Sequence, residues 1–71
     1  MKFKVIIMYD LEYKGYVVDV PELVGCMSQG KTIDEALENI KEVIEMCLEE
    51  TKVEELNKFV GFRDMEVAQN A

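Results

Sequence analysis

A run of apolar residues that recur every three or four positions between residues 33 and 48 is the feature that most constrains this chain. An α-helix has 3.6 residues per turn, so residues at this spacing lie on one side of it and must pack against another element. Thr32 and Glu35 fit a capping box, in which each side chain accepts a backbone N–H at the start of a helix. The sequence therefore predicts an amphipathic helix over about residues 32–50. Its apolar face consists of Ile33, Ala36, Leu37, Ile40, Val43, Ile44, Cys47 and Leu48.

The segments before this helix have the features of short β-strands. Their side chains alternate between two faces, and residues that favour turns separate them. Gly15 can adopt the positive φ that a hairpin often needs, and Pro21 cannot donate to a strand ladder, so a strand ends before it. We predict strands at about residues 2–9, 16–20 and 25–29.

The segment after the helix alternates again. Residues 62–67 predict a final strand that lies beside the first three. The whole chain is then one domain with the order β-β-β-α-β. We predict an α+β fold in which a small antiparallel sheet carries the long helix packed on one face.

The outer face of the first strand begins with lysines and becomes apolar at Ile6 and Met8. A 71-residue chain buries only about 60% of the surface that its unfolded form exposes, so further burial through self-association would stabilise it. We therefore predict a homodimer or a higher homo-oligomer, with Ile6 and Met8 in the interface.

Charge and composition restrict the possible partners. The chain has 15 acidic and 8 basic residues, and its net charge of -7 repels phosphate backbones and attracts basic surfaces. This favours a basic protein partner and argues against direct nucleic-acid binding. The N-terminal apolar run is too short for a signal peptide or a membrane span. We therefore predict a cytoplasmic protein that does not bind a membrane.

Nothing in the sequence predicts catalysis, a metal site or a cofactor. The chain has no histidine, and its two cysteines are 21 positions apart, so neither a zinc site nor a dense disulfide framework is expected. Asp10, Asp19 and Glu35 have ordinary structural roles in a turn, a strand and a helix cap. Cys26 has no predicted basic neighbour that would make it a nucleophile. We therefore predict that the protein is not an enzyme.

The spacing Gly25-x-x-x-x-Gly30-Lys31-Thr32 matches the letters of a phosphate-binding P-loop. A nucleotide-binding domain of that type needs a parallel sheet far larger than 71 residues can form. The residues between the two glycines also have the pattern of a strand. We therefore reject this interpretation.

The stretch from Tyr16 to Ile44 resembles the HicB family of small antitoxins and their stand-alone relatives. The resemblance covers residues 1 to about 50 well and the remainder loosely. The residues that carry it are Tyr16, Asp19, Pro21, Gly25, Cys26, Gly30, Thr32, Glu35, Ala36 and Asn39.

This resemblance implies a fold like a truncated ribonuclease H domain, without the catalytic carboxylates of that enzyme. It also implies a partner of the HicA type, which is a small basic toxin that cleaves messenger RNA and whose active site the antitoxin masks. Longer HicB proteins carry a C-terminal DNA-binding domain, for which this chain has no room. We therefore expect no such domain here.

Exposed acidic and apolar side chains on the predicted helix and loops are the candidates for contact with a toxin. A charged outer helix face is also common where it serves solvation alone. The alternative is an orphan domain that oligomerises and has no toxin partner. The candidate partner-binding residues are Asp10, Glu12, Tyr13, Glu22, Leu23, Glu38, Glu42, Glu45 and Glu49.

Overall fold

The computed structural model describes residues 1–69, apart from the side chain of Val53. Three strands form one antiparallel sheet in the order β1-β2-β3, and a long helix follows them. This confirms the predicted α+β fold. The elements are β1 (Ile6–Asp10), β2 (Gly15–Asp19), β3 (Met27–Gly30), α1 (Ile33–Glu50) and one turn of 3-10 helix at Val53–Glu55.

The β1–β2 hairpin turns on the side chain of Asp10. Its carboxylate accepts the backbone N–H groups of Glu12 and Tyr13 at 2.9 and 2.8 Å, which is an Asx-turn arrangement. We had expected the positive φ of this turn at Gly15. It belongs instead to Lys14, whose φ is 58°. Gly15 is needed for space instead, because a Cβ there would lie 2.7 Å from the Tyr13 ring.

The helix begins at the predicted cap and packs directly on β3. The Thr32 hydroxyl accepts the N–H of Glu35 at 3.0 Å, whereas the Glu35 carboxylate reaches back to the N–H of Lys31 at 3.3 Å. A Cβ on Gly30 would lie only 2.5 Å from the backbone nitrogen of Ala36, so the absence of a side chain at residue 30 allows this close approach.

The core lies between α1 and the β2–β3 side of the sheet. Within residues 1–69, six apolar side chains are buried in the core, and none of them belongs to β1. α1 packs on β3 and β2. The edge of its apolar face that lies away from β3 faces the N-terminal segment, where Phe3 and Val5 are only partly buried against the core. The helix is therefore off-centre on the sheet. The buried residues are Val18, Val20, Leu23, Cys26, Ala36 and Ile40.

β1 is shorter than predicted because β2 has no residue to pair with its beginning. Ile6 lies opposite Asp19, and beyond Asp19 the chain turns through hydrogen bonds that join Val20, Leu23 and Cys26. Residues 2–5 consequently have no partner strand. The N–H of Lys4 donates instead to the Glu22 carboxylate at 2.6 Å.

The strand predicted at 62–67 is not formed. The structure assigns neither helix nor strand to residues 57–69, and residues 60–69 are exposed. A segment forms a strand only where a neighbouring edge accepts its backbone hydrogen bonds, and this one pairs with no part of its own sheet. We call residues 58–69 the C-terminal arm.

The arm makes the molecule longer than a compact chain of this size. The radius of gyration is 14.2 Å, compared with about 11 Å expected for 71 compactly folded residues. The longest dimension is 45 Å, whereas an 18-residue helix accounts for about 27 Å. No helix within residues 1–69 has the length and apolar character that crossing a membrane requires.

Candidate partner-binding surface

An unbroken row of carboxylates follows the solvent side of α1. Ala36 and Ile40 are buried on one side of the helix, and the carboxylates on the other side are exposed. Their spacing of three or four residues keeps them on one line along the helix axis. We call this row the acidic stripe. It consists of Asp34, Glu38, Glu42, Glu45 and Glu49.

α1 carries most of the charge of the protein. It has seven acidic residues and one lysine, so its net charge is 1 − 7 = −6, compared with -7 for the whole chain. Each like-charged pair at i,i+4 costs a few tenths of a kcal/mol. The last turn contains Glu49 and Glu50 and no basic residue, which the helix dipole also disfavours. The acidic stripe therefore lowers the stability of the helix that carries it.

The turn residues among the predicted candidates differ in their availability to a partner. The Asp10 carboxylate is occupied by the hairpin turn, and Glu12 is exposed. Tyr13 is half-buried, with the Lys31 ammonium 3.7 Å from the centre of its ring. This ammonium also donates to the Tyr13 carbonyl oxygen. Glu12 is therefore the turn carboxylate that is free to contact a partner, whereas the Lys31 ammonium covers the ring of Tyr13.

The structure excludes one candidate and gives another a structural role. Leu23 is only 2% exposed and belongs to the core, so our prediction that it contacts a partner is wrong. Its position after Pro21 suggested an exposed bend, but the bend folds inward. Glu22 is half-buried, its carboxylate accepts the N–H of Lys4, and its carbonyl oxygen accepts the N–H of Asn57.

The sheet face opposite α1 is open. Met8 lies opposite Val17 and Ile6 lies opposite Asp19, so Ile6, Met8 and Val17 share this face. Met27, the neighbour of Asp19 on β3, adds a further apolar side chain. Ile6 is half-buried, whereas Met8 is 56% exposed. The open face therefore combines apolar side chains with the carboxylate of Asp19.

The two cysteines lie close together, with Cys47 on α1 and Cys26 in the core that α1 covers. Cys26 is buried, Cys47 is half-buried, and both are free thiols. Burial, a hydrogen bond with the Cys47 side chain and the nearby charges of Cys47 and Asp19 raise the pKa of Cys26 to about 12. Cys26 is therefore a neutral thiol near pH 7 and a poor nucleophile. Within residues 1–69, no cluster of potential ligands has the form of a metal site.

Comparison with known proteins assigns the chain to a family. The family model described as HicB_like antitoxin of bacterial toxin-antitoxin system matches residues 3–70. The chain belongs to the HicB-like antitoxin family. A UPF0150 protein of Archaeoglobus fulgidus is 46% identical over 67 residues, which cover 94% of this chain and 96% of the relative.

Two further relatives match a shorter part of this HicB-like chain. A UPF0150 protein of Thermoplasma acidophilum is 56% identical over 52 residues, 73% of this chain and 74% of its own. One of Synechocystis sp. is 50% identical over 52 residues, 73% of this chain and 75% of its own. No solved structure matches significantly.

Sequence reasoning placed the acidic stripe of the HicB-like domain correctly but missed part of the open face. Val17 and Met27 lie on that face together with Ile6 and Met8. Alternation shows which residues of one strand share a face. The register between strands is also needed to show that Val17 and Met27 lie beside Ile6 and Met8. The contact between Lys31 and Tyr13 left no recognisable signal, because the two residues lie 18 positions apart.

The buried thiol predicts a pH dependence of stability. In the unfolded chain Cys26 ionises near its ordinary pKa of 9.0, whereas the folded chain retains the proton up to about pH 12. The unfolded state therefore binds fewer protons in this window, and stability falls as pH rises, by at most about 1.4 kcal/mol per pH unit for one group. Urea unfolding between about pH 8 and about pH 10.5 measures the slope.

Cys26→Ala is the control for this prediction. It removes the Cys26 thiol and leaves every other ionisable side chain in place. We expect the free energy of unfolding of Cys26→Ala to decline less steeply with pH than that of the unaltered protein. Equal slopes would contradict the assignment to Cys26.

Proposed function

We propose that this protein is an antitoxin that binds a small basic toxin of the HicA type, which cleaves messenger RNA, and masks its active site. The observation that carries the proposal is the acidic stripe, which holds five exposed carboxylates on one line of α1. A ribonuclease that binds the phosphate backbone presents a basic surface, and the stripe offers the opposite charge. Membership of an antitoxin family supports a toxin partner of some kind.

The stripe fits this role in length as well as in sign. From Asp34 to Glu49 it spans 15 helical steps, about 22 Å at 1.5 Å per residue. Its carboxylates lie at the solvent end of their side chains, so a partner reaches them without moving the core. The cost of the like charges to helix stability is also what is expected of a surface selected for binding.

Exposed apolar side chains on α1 and on the β1–β2 hairpin are available to such an interface. Met46 is 59% exposed on α1, and Leu11 is exposed at the tip of the β1–β2 hairpin. Binding energy in protein interfaces concentrates in desolvated apolar and aromatic contacts, whereas charges at the rim mainly accelerate association. We infer that the stripe guides the toxin to this side of the helix and determines its orientation.

Charge reversal in the stripe tests the proposal. We expect Glu38→Lys combined with Glu42→Lys to weaken binding of a basic HicA-type toxin at least about tenfold, or about 1.4 kcal/mol. Titration calorimetry gives the affinity, and an RNA-cleavage assay shows whether the toxin is inhibited. The effect should shrink as salt rises from about 50 to about 500 mM, because salt screens exposed charges.

Glu54→Lys combined with Glu55→Lys is the matched control. These exposed carboxylates lie in the 3-10 turn outside the stripe, and the change in net charge is the same. We expect the control variant to retain nearly full affinity. Equal losses of affinity in the two variants would show that binding responds to net charge and not to the position of the stripe. A bound toxin that is insensitive to salt and to both variants would overturn the stripe mechanism.

The open face favours a second candidate function. Ile6, Met8, Val17 and Met27 form an apolar patch that suits self-association, and a domain used only for oligomerisation needs no toxin. If the protein fails to bind or inhibit any basic toxin encoded beside it, this non-enzymatic oligomerising role replaces the antitoxin role. Under either proposal we place the protein in the cytoplasm.

A further inference from the structure

The C-terminal arm exposes apolar side chains that its own chain does not cover. Val60 and Met65 are 96% and 83% exposed, and Phe62 and Val67 are more than two-thirds exposed. A group of neighbouring, highly exposed apolar side chains in a soluble protein commonly marks an interaction site. The arm also has the alternation of a strand, with Val60 and Phe62 on one face and Met65 and Val67 on the other.

The body of the protein has an uncovered apolar groove. It lies between the N-terminal segment and α1, has a volume of about 460 Å³, and exists because the helix is off-centre toward β3. Lys41 and Glu45 provide one charge of each sign among its lining residues. The apolar side chains used in the argument are Phe3, Val5, Leu37, Ile44 and Leu48.

A free strand edge borders the same region. β1 is the outermost strand of the sheet, so the backbone groups on its outer edge pair with no strand among the described residues. Residues 2–5 extend this edge and likewise lack a strand partner. An extended segment laid here would gain backbone hydrogen bonds and cover the groove at once.

We propose that the C-terminal arm of a second copy of this chain lies along this edge and groove, and that two copies exchange their arms reciprocally. The arm has the alternation of a strand, and its apolar side chains can cover the apolar groove. Charge is complementary as well, because Arg63 lies on the strand face of Met65 and Val67 and suits Glu45. A reciprocal exchange is closed by a two-fold axis, so it yields a dimer and leaves no unpaired arm.

The course of the arm favours a second copy over the chain's own groove. The arm is attached where the N–H of Asn57 donates to the Glu22 carbonyl oxygen at 3.0 Å and where Lys4 lies over the Phe59 ring. From this point its twelve residues can extend about 40 Å. The chain does not fold back, although its groove begins beside the attachment point. This dimer does not depend on the toxin.

An isotope-filtered NOE experiment on a 1:1 mixture of labelled and unlabelled full-length protein tests the exchange. We expect cross-peaks between chains that join the Met65 methyl group to methyl groups of Leu37, Ile44 or Leu48. The same cross-peaks within one chain only would show that the arm folds onto its own groove and would overturn the proposal. The absence of these cross-peaks both between chains and within one chain would overturn the proposal as well.

Sedimentation of a variant gives an independent test. Met65→Asp combined with Val67→Asp changes the arm face that would enter the groove, and it should shift the protein from dimer to monomer and raise the dissociation constant at least about a hundredfold. Leu11→Asp combined with Val24→Asp changes equally exposed apolar residues outside the arm, and this variant should remain dimeric. The proposal fails if both variants behave alike, or if the unaltered protein is a monomer at micromolar concentration.

Discussion

Replacing Ile40 with alanine is expected to lower the free energy of unfolding by about 2–5 kcal/mol, which is a large part of the stability of so small a domain. Ile40 is 2% exposed and is the largest of the fully buried side chains. Removing its methyl and methylene groups loses apolar burial and leaves a cavity between α1 and β2. Urea unfolding followed by circular dichroism measures the change.

Met46→Ala is the control for this substitution. Met46 lies on the same helix and is 59% exposed, so truncation there leaves no cavity. We expect its effect to stay within about 0.5 kcal/mol, as is usual for surface positions. A loss below about 1 kcal/mol for Ile40→Ala would show that the helix does not pack on the sheet as described.

The second large effect is expected at Gly30. An alanine Cβ would lie 2.5 Å from the nitrogen and 2.9 Å from the Cα of Ala36, and backbone atoms cannot move aside as a flexible side chain can. The helix must therefore shift away from β3. We expect Gly30→Ala to cost about 1–3 kcal/mol, toward the upper end, as overpacking of a tight core does.

Gly61→Ala provides the matched comparison. No atom lies within 4 Å of the Cβ that this substitution would add. Restricting the unfolded chain then makes Gly61→Ala neutral or stabilising, by up to about 1 kcal/mol. Thermal unfolding of the two variants should shift in opposite directions or differ by several degrees. Equal effects would contradict the close approach of β3 and α1.

Local patterns explain which parts of the fold were predictable. The cap at Thr32 and the apolar face of α1 depend on residues within a few positions of one another, so the helix was predicted to within one residue at its start. The strands near Gly15 and Met27 followed from alternation and turn residues. The start of β1 was not predictable, because Ile6 is set by the end of β2 at Asp19, a tertiary property.

The errors at the site have the same origin. Leu23 looked like part of an exposed bend, but backbone hydrogen bonds among Val20, Leu23 and Cys26 turn its side chain into the core. The alternation of residues 62–67 predicted a strand, but whether a strand forms depends on an available edge and not on alternation. The acidic stripe was predictable because helical spacing alone places its carboxylates on one side.

The absence of any fully buried residue in β1 has a consequence for the motions of the protein. The core is shared by α1, β2 and the β2–β3 connection, so these parts open only when the whole domain unfolds. β1 is held mainly by its hydrogen bonds to β2 and by half-buried side chains. Its detachment therefore exposes less buried surface than unfolding of α1 does, and its amide hydrogens exchange with solvent through a local opening of lower free energy than that of α1.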